Sequence, residues 1–135
     1  SSSIPLSKSC LVAHNGKTWD YKILQRTFKE VCKSGLGIEI SSCDSLPCFK
    51  LLDKDQNFIN QVPEFFKKNL DDSKTQSETN RISYSLSEVN KRIFGNVPSI
   101  SHNGLEDCKT LANCCLFYGS AFINYISKNY QIIAF

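Results

Sequence analysis

The stretch Cys10-Leu-Val-Ala-His-Asn-Gly-Lys-Thr-Trp-Asp-Tyr-Lys-Ile-Leu-Gln25 decides how the chain is read. Its first part, SCLVAH over residues 9–14, is a short apolar run ending before Asn15-Gly16. Such a run predicts a buried strand that enters a turn. From Trp19 to Lys33 the apolar residues Trp19, Ile23, Leu24, Phe28, Val31 and Cys32 recur at helical spacing, and Gly35 and Gly37 follow as stop signals. Asp20 therefore falls near a helix N-terminus at the end of a strand, where open α/β sheets place their ligands. An ordinary first-turn acid after an Asn-Gly turn explains the same residues without any function.

Moving outward, Ile38–Cys43 alternates and is rich in strand formers, and a short helix is expected around Ser45–Leu52. Residues 53–82 include LDDSKTQSETN, which is polar and aperiodic, and the expectation there is a surface loop. Ser85-x-x-Glu88 reads as a capping box opening a helix through Phe94, with Gly95 as its stop. A long helix is expected from about Leu105, with Leu111, Cys115, Tyr118 and Phe122 as its apolar stripe and a kink at Gly119. Another helical piece and the apolar QIIAF close the chain. Strand, helix, strand, helices is an α/β layout with helices packed on a sheet.

The bulk numbers agree with one modest domain. The chain has 135 residues, 41% apolar and 21% charged, with a net charge of +3. That charge permits nucleic acid as a partner without arguing for it. No apolar run approaches the roughly 20 residues of a membrane helix. The opening SSSIPLSKSC lacks the features of a signal peptide and is expected to be a flexible lead-in or a cut point. The seven cysteines are odd in number and include the adjacent pair Cys114–Cys115; several sit in apolar stretches, and no CxxC occurs. Buried free thiols in a reducing compartment are the reading preferred over a disulfide framework or a zinc site at Cys43 and Cys48.

Three groups of residues carry chemical potential. Asn15 and Asp20 flank the first turn. His102-Asn-Gly-Leu-Glu-Asp107 puts a histidine ahead of a helix and a carboxylate in its first turn. Carboxylates hold divalent ions through oxygen, and a nearby imidazole can take a proton from water, so His102 is the leading base candidate. A surface histidine followed by a first-turn acid remains the plain alternative. Arg81-Ile-Ser-Tyr84-Ser85 joins a polar stretch to a capped helix, where arginine and hydroxyls can bind phosphate; capping alone also accounts for Ser85.

Taken together these segments resemble the DEDDh 3′→5′ exonucleases, and among them the three-prime repair exonuclease family. CLVAHNGKTWDYKILQ looks like that family's second exonuclease motif, SYSLSEVNKRIFG like its tyrosine-containing segment, and SHNGLEDCKTLANC like its third motif, with His102 and Asp107 five residues apart. CDS at 43–45 and AFINYISKNYQIIAF also follow the family's order.

The resemblance implies an α/β, ribonuclease-H-like exonuclease fold with a mixed sheet flanked by helices. Residues 1–135 would be a partial exonuclease domain, without the first N-terminal strands. It implies Asp20 and Asp107 as metal ligands, His102 as the catalytic base, Asn15 beside the 3′ nucleotide and Tyr84 as a substrate-side aromatic. Lys17 and Arg81 would be phosphate contacts. It further implies two Mg²⁺ ions, with Mn²⁺ as the alternative, acting on DNA 3′ ends, single-stranded by preference. The partner expected is a second copy of the chain or a complementing N-terminal segment, and the setting is intracellular, cytoplasmic or nuclear.

One element of the pattern is absent: no Asp-x-Glu occurs in the chain. Two of the four metal-binding acids are thus lacking. A non-catalytic truncated relative that binds nucleic-acid ends or a partner chain therefore stands beside the exonuclease as a second reading. An RNA-trimming enzyme of the same class is a third.

Overall fold

A computed structural model describes residues 9–16, 20–33, 35–75, 81–96 and 104–135. In chain order its elements are β1 (Cys10–Ala13), α1 (Asp20–Cys32), β2 (Glu39–Asp44), α2 (Ser45–Leu52), α3 (Gln56–Ile59), α4 (Glu64–Thr75), α5 (Leu86–Phe94), α6 (Gly104–Asn129) and β3 (Gln131–Ala134). The α/β class and the mixed sheet expected from the sequence are present. The chain divides into two compact units, residues 1–46 with 123–135, and residues 47–122.

The first unit is built on a three-stranded sheet in the order β1-β2-β3. β1 pairs in parallel with β2, Cys10 opposite Ser41 and Ala13 opposite Asp44. β3 pairs antiparallel with β2, Ile133 opposite Ile40. Within the closing QIIAF, Gln131–Ala134 is therefore a strand; Ile132 and Ile133 are β-branched, and Ser42 Oγ donates to the Gln131 carbonyl at 3.1 Å. Phe135 extends the pairing, its N–H donating to the Ile38 carbonyl and its own carbonyl accepting from Leu36 N–H, both at 2.9 Å.

α1 attaches to this sheet by one side. Tyr21 is its buried residue, and the Phe28 ring meets the edge of Phe135 at 5.7 Å. The rest of α1's apolar stripe stays open: Ile23, Leu24 and Val31 are exposed, as is Leu11 on β1. Among the described residues β1 has β2 as its strand partner and otherwise a free edge.

The second unit is helical. Residues 53–82, expected to be a surface loop, contain α3 and α4. The apolar residues Phe66 and Leu70 stand at i, i+4 within α4 and are both buried. Two buried residues on one stripe are enough to hold an otherwise polar helix, and the polar run LDDSKT hid that period. Asp55 caps α3 by accepting from Asn57 N–H at 2.9 Å.

The core of this unit is aromatic. Tyr118 stacks on Phe49 with centroids 4.4 Å apart and on Phe58 at 5.2 Å, while Phe66 packs against Phe117 at 4.8 Å. α5 opens as expected, with Ser85 Oγ accepting from Glu88 N–H at 3.3 Å, and Gly95 closes it in the left-handed conformation. α6 breaks at Gly119 (φ 58°, ψ −130°), a backbone state that favours glycine. Its buried stripe is Cys114, Tyr118 and Phe122; Cys115 is half-buried, one position off the expected face.

Candidate functional site

In the first unit the turn His14–Gly16 is pinned from the junction of β2 and α2. Asn15 adopts φ 62°, a left-handed state that asparagine tolerates. Its N–H donates to Asp44 Oδ1 at 2.8 Å, and the same oxygen accepts from Leu46 N–H at 3.0 Å. His14 Nδ1 lies 2.9 Å from Ser45 Oγ, which donates to the Ala13 carbonyl at 3.3 Å. Both contacts are satisfied when the imidazole carries its proton on Nδ1.

Gly16 is buried because nothing larger fits. A Cβ there would come within 2.5 Å of Ala13 Cβ and 3.0 Å of the Tyr21 ring. Tyr21 in turn donates its hydroxyl to the Cys43 carbonyl at 2.9 Å, with the Leu11 carbonyl at 3.0 Å, so one ring ties β1 to β2 beneath the turn. Burial, first, and then the neighbouring acidic groups push the Tyr21 hydroxyl far above its ordinary range, so it stays a proton donor. The strand–turn–helix read from residues 10–25 thus has a physical basis in Asp44, Ser45, Gly16 and Tyr21.

Asp20 occupies the first turn of α1 and is exposed; Asp107 occupies the first turn of α6 and is half-buried. Each sits where the helix dipole favours a negative charge. Asp20 belongs to the first unit and Asp107 to the second. Lys17 and His102 lie outside the described residues. Among the described residues no three His, Cys, Asp or Glu side chains converge as a metal cluster. Two carboxylates do not by themselves make a two-ion centre, which needs bridging acids as well.

The second unit holds the more developed feature. Lys50, Asp53, Lys54, Lys74, Arg81, Ile82 and Tyr84 line one cavity of about 420 Å³. Four cations and a single carboxylate thus share this lining, and the carboxylate is buried. Asp53 accepts the Tyr84 hydroxyl on Oδ2 and the Tyr118 hydroxyl on Oδ1, each at 2.8 Å. Lys50 Nζ stands 5.8 Å from the Tyr84 ring centre, and the Arg92 guanidinium 4.8 Å from it. Burial raises the Tyr84 hydroxyl above its ordinary range, and the Asp53 charge adds to the effect.

Arg81 and Tyr84, singled out from the sequence, are thus together on one cavity. Tyr84 is nearly buried and commits its hydroxyl to Asp53. Lys50, Lys54 and Lys74 were not foreseen. The first two stand at i, i+4 around the end of α2, a spacing that was available in the sequence; Lys74 needed α4 to be recognised first.

All seven cysteines are free thiols. Cys43, Cys48 and Cys114 are buried, as expected for structural thiols, whereas Cys32 and Cys108 are exposed. No described helix is long and apolar enough to cross a membrane.

No family model matches the chain. Three-prime repair exonuclease 1 of Homo sapiens is 28% identical over 123 residues, covering 89% of this chain and 33% of that protein. Three-prime repair exonuclease 1 of Bos taurus is 27% identical over the same shares. The chain therefore spans about a third of the length of the curated relatives it matches, and the relationship is a distant one to 3′-repair exonucleases.

Proposed function

We propose that this chain is the C-terminal part of a metal-dependent 3′→5′ DNA exonuclease of the DEDDh class, with a ribonuclease-H-like sheet completed by a segment carrying the absent Asp-x-Glu. The observation that carries the nucleic-acid part is the cavity in which Arg81 and Tyr84 meet Lys50, Lys54 and Lys74. A cavity with four cations attracts phosphate, and its aromatic wall suits a strand with unpaired bases. The preferred substrate in this reading is a single-stranded DNA 3′ end.

The remaining roles follow the motif order. Asp20 and Asp107 serve as two of the metal ligands, His102 takes the proton from the attacking water, Asn15 lies beside the 3′ nucleotide, and Lys17 and Arg81 contact phosphates. Mg²⁺, or Mn²⁺ in its place, would supply charge neutralisation at the scissile phosphate when bound. The two acids of this chain fall short of such a centre, so the chain alone binds divalent metal weakly and turns over poorly. The edge of β1 that has no strand partner among the described residues, with the exposed Leu11, Ile23, Leu24 and Val31, favours a complementing N-terminal segment as partner, with a homodimer as the other arrangement. Seven free thiols fit an intracellular setting, cytoplasmic or nuclear.

A second reading, a non-catalytic relative that holds nucleic-acid ends, is favoured for the isolated chain by the absence of Asp-x-Glu. One experiment separates the two. A 3′-labelled single-stranded oligonucleotide is incubated with Mg²⁺ and the chain, alone or with a separately supplied strand segment bearing Asp-x-Glu. Release of mononucleotides that needs the segment and is lost in His102→Ala supports the enzyme. Binding without release in every arm supports the second reading, and no binding in any arm removes both.

A further inference from the structure

We infer that the solvent side of α1 is a second nucleic-acid surface, one that takes the sugar-phosphate backbone of a duplex and not a free 3′ end. The inference rests on the nucleic-acid reading above and deepens it. Lys22, Arg26 and Lys29 stand at i, i+4 and i+7, within roughly 60° of one another around the helix. All three are exposed, and with Gln25 and Glu30 they line one shallow recess. Among the described residues none of the three cations is held in an ion pair. The recess is fixed to the fold on one flank, since Gln25 Nε2 donates to the Ala134 carbonyl at 3.0 Å.

Geometry separates this face from the acid at the start of the same helix. Asp20 lies about 160° around α1 from Lys22. Tyr21, which anchors the helix, is turned about 100° away from Lys22 and buried. The three cations thus form their own surface, with Glu30 as its one acid.

The preference for a duplex comes from shape and composition. From Lys22 to Lys29 the helix rises about 10.5 Å. A straight helix offers its cations in a fixed row, which matches a stiff backbone. Surfaces for single strands interleave cations with aromatic rings on which bases stack, and no aromatic side chain lines this recess.

The test uses a DNA duplex closed by hairpins at both ends, which offers no 3′ end, in buffer without divalent metal. Binding by the full chain is compared with Lys22→Gln/Arg26→Gln/Lys29→Gln. The expected result is weaker binding by the triple variant and a slope of log affinity against log salt reduced by about 2 to 3. Glu30→Gln, a single surface change, is expected to tighten binding. Equal affinity and slope for wild type and triple variant, or no response to Glu30→Gln, overturns the proposal. So does a loss confined to single-stranded oligonucleotide or to anionic lipid vesicles. A single-stranded 3′ end that still binds while the closed duplex does not leaves the cavity reading standing and removes this one.

Discussion

The hydroxyl of Tyr84 donates to Oδ2 of Asp53 at 2.8 Å, across 31 residues of sequence. Oδ1 of the same carboxylate takes the hydroxyl of Tyr118 at the same distance. One buried acid thus joins the segment before α5, the residue after α2 and the core of α6. It also anchors the aromatic wall of the basic cavity, because the Tyr84 side chain cannot swing away without giving up that bond. The arrangement links packing to the proposed binding site through a single side chain.

Removing that carboxylate is expected to destabilise the protein in a graded way. Asp53→Ala leaves two buried hydroxyls without an acceptor, at a cost of about 1–3 kcal/mol for each. Asp53→Asn keeps one carbonyl acceptor and offers an amide to the second hydroxyl, which can reverse its role, so its loss is smaller. Urea denaturation of the three proteins checks the order. An alanine variant as stable as the wild type would contradict the account.

The same group sets a pH dependence. Burial pushes the Asp53 carboxyl above the ordinary value of 3.8, and the Tyr118 and Tyr84 hydrogen bonds, Arg92 and Lys74 offset only part of that shift. Between 3.8 and the raised value the folded chain therefore holds more protons at this site than the unfolded chain does. Stability from this group is present below 3.8 and is lost as pH rises through the interval. The unfolding free energy of wild type minus that of Asp53→Asn should fall across this interval and then level off. A difference that is flat or climbs with pH would count against it.

The parts of the fold legible in the sequence are those whose signals are local. β1, α1 and α5 announce themselves through a short apolar run, a 3.6-residue period and a Ser-x-x-Glu cap with Gly95. α4 did not, because its buried pair Phe66 and Leu70 is outnumbered by charged neighbours and counts only once a core exists to receive it. β3 was missed because QIIA becomes a strand by pairing with Glu39–Ser42, about 90 residues earlier. The candidate site shows the same division. Arg81 and Tyr84 were singled out from a motif and share a cavity, whereas Lys74 joins Lys50 and Lys54 on it only through the fold.

Gly16 offers a sharp test of the strand–turn–helix. Ala13 Cβ and the Tyr21 ring leave no room for a methyl group, and the turn they confine also holds Asn15 against Asp44. Gly16→Ala should cost about 1–3 kcal/mol as an overpacked core position. The denaturation midpoint measures it. A neutral result would mean that the turn yields more easily than its packing implies.

Thiol labelling reports on burial directly. The Cys114 thiol is pushed up to about 12, chiefly by burial, and so is neither ionised nor accessible at neutral pH. Under native conditions iodoacetamide should modify Cys32 and Cys108 first, while Cys43, Cys48 and Cys114 react only after denaturation. Peptide mass mapping after timed labelling gives the order. Early modification of Cys48 or Cys114 would show that the core of the second unit opens readily.

The basic cavity makes the most direct functional prediction. Lys54 and Arg81 line it from two separate segments, and neither is part of the Asp53 hydrogen-bond pair. If both neutralise phosphates of a bound single strand, Lys54→Ala/Arg81→Ala should reduce the slope of log affinity against log salt by about 1.4, at roughly 0.7 per contact. Affinity for a single-stranded oligonucleotide should drop with it, most at low salt, where released counterions contribute most. A Tyr84→Phe variant then separates charge from ring position, since it keeps the aromatic face and removes the hydroxyl that bonds Asp53. It should leave the salt slope alone while weakening affinity, because the number of phosphates held is unchanged and only the wall has loosened. An unchanged slope in the double variant, with thermal unfolding intact, would remove this cavity from the path of the nucleic acid.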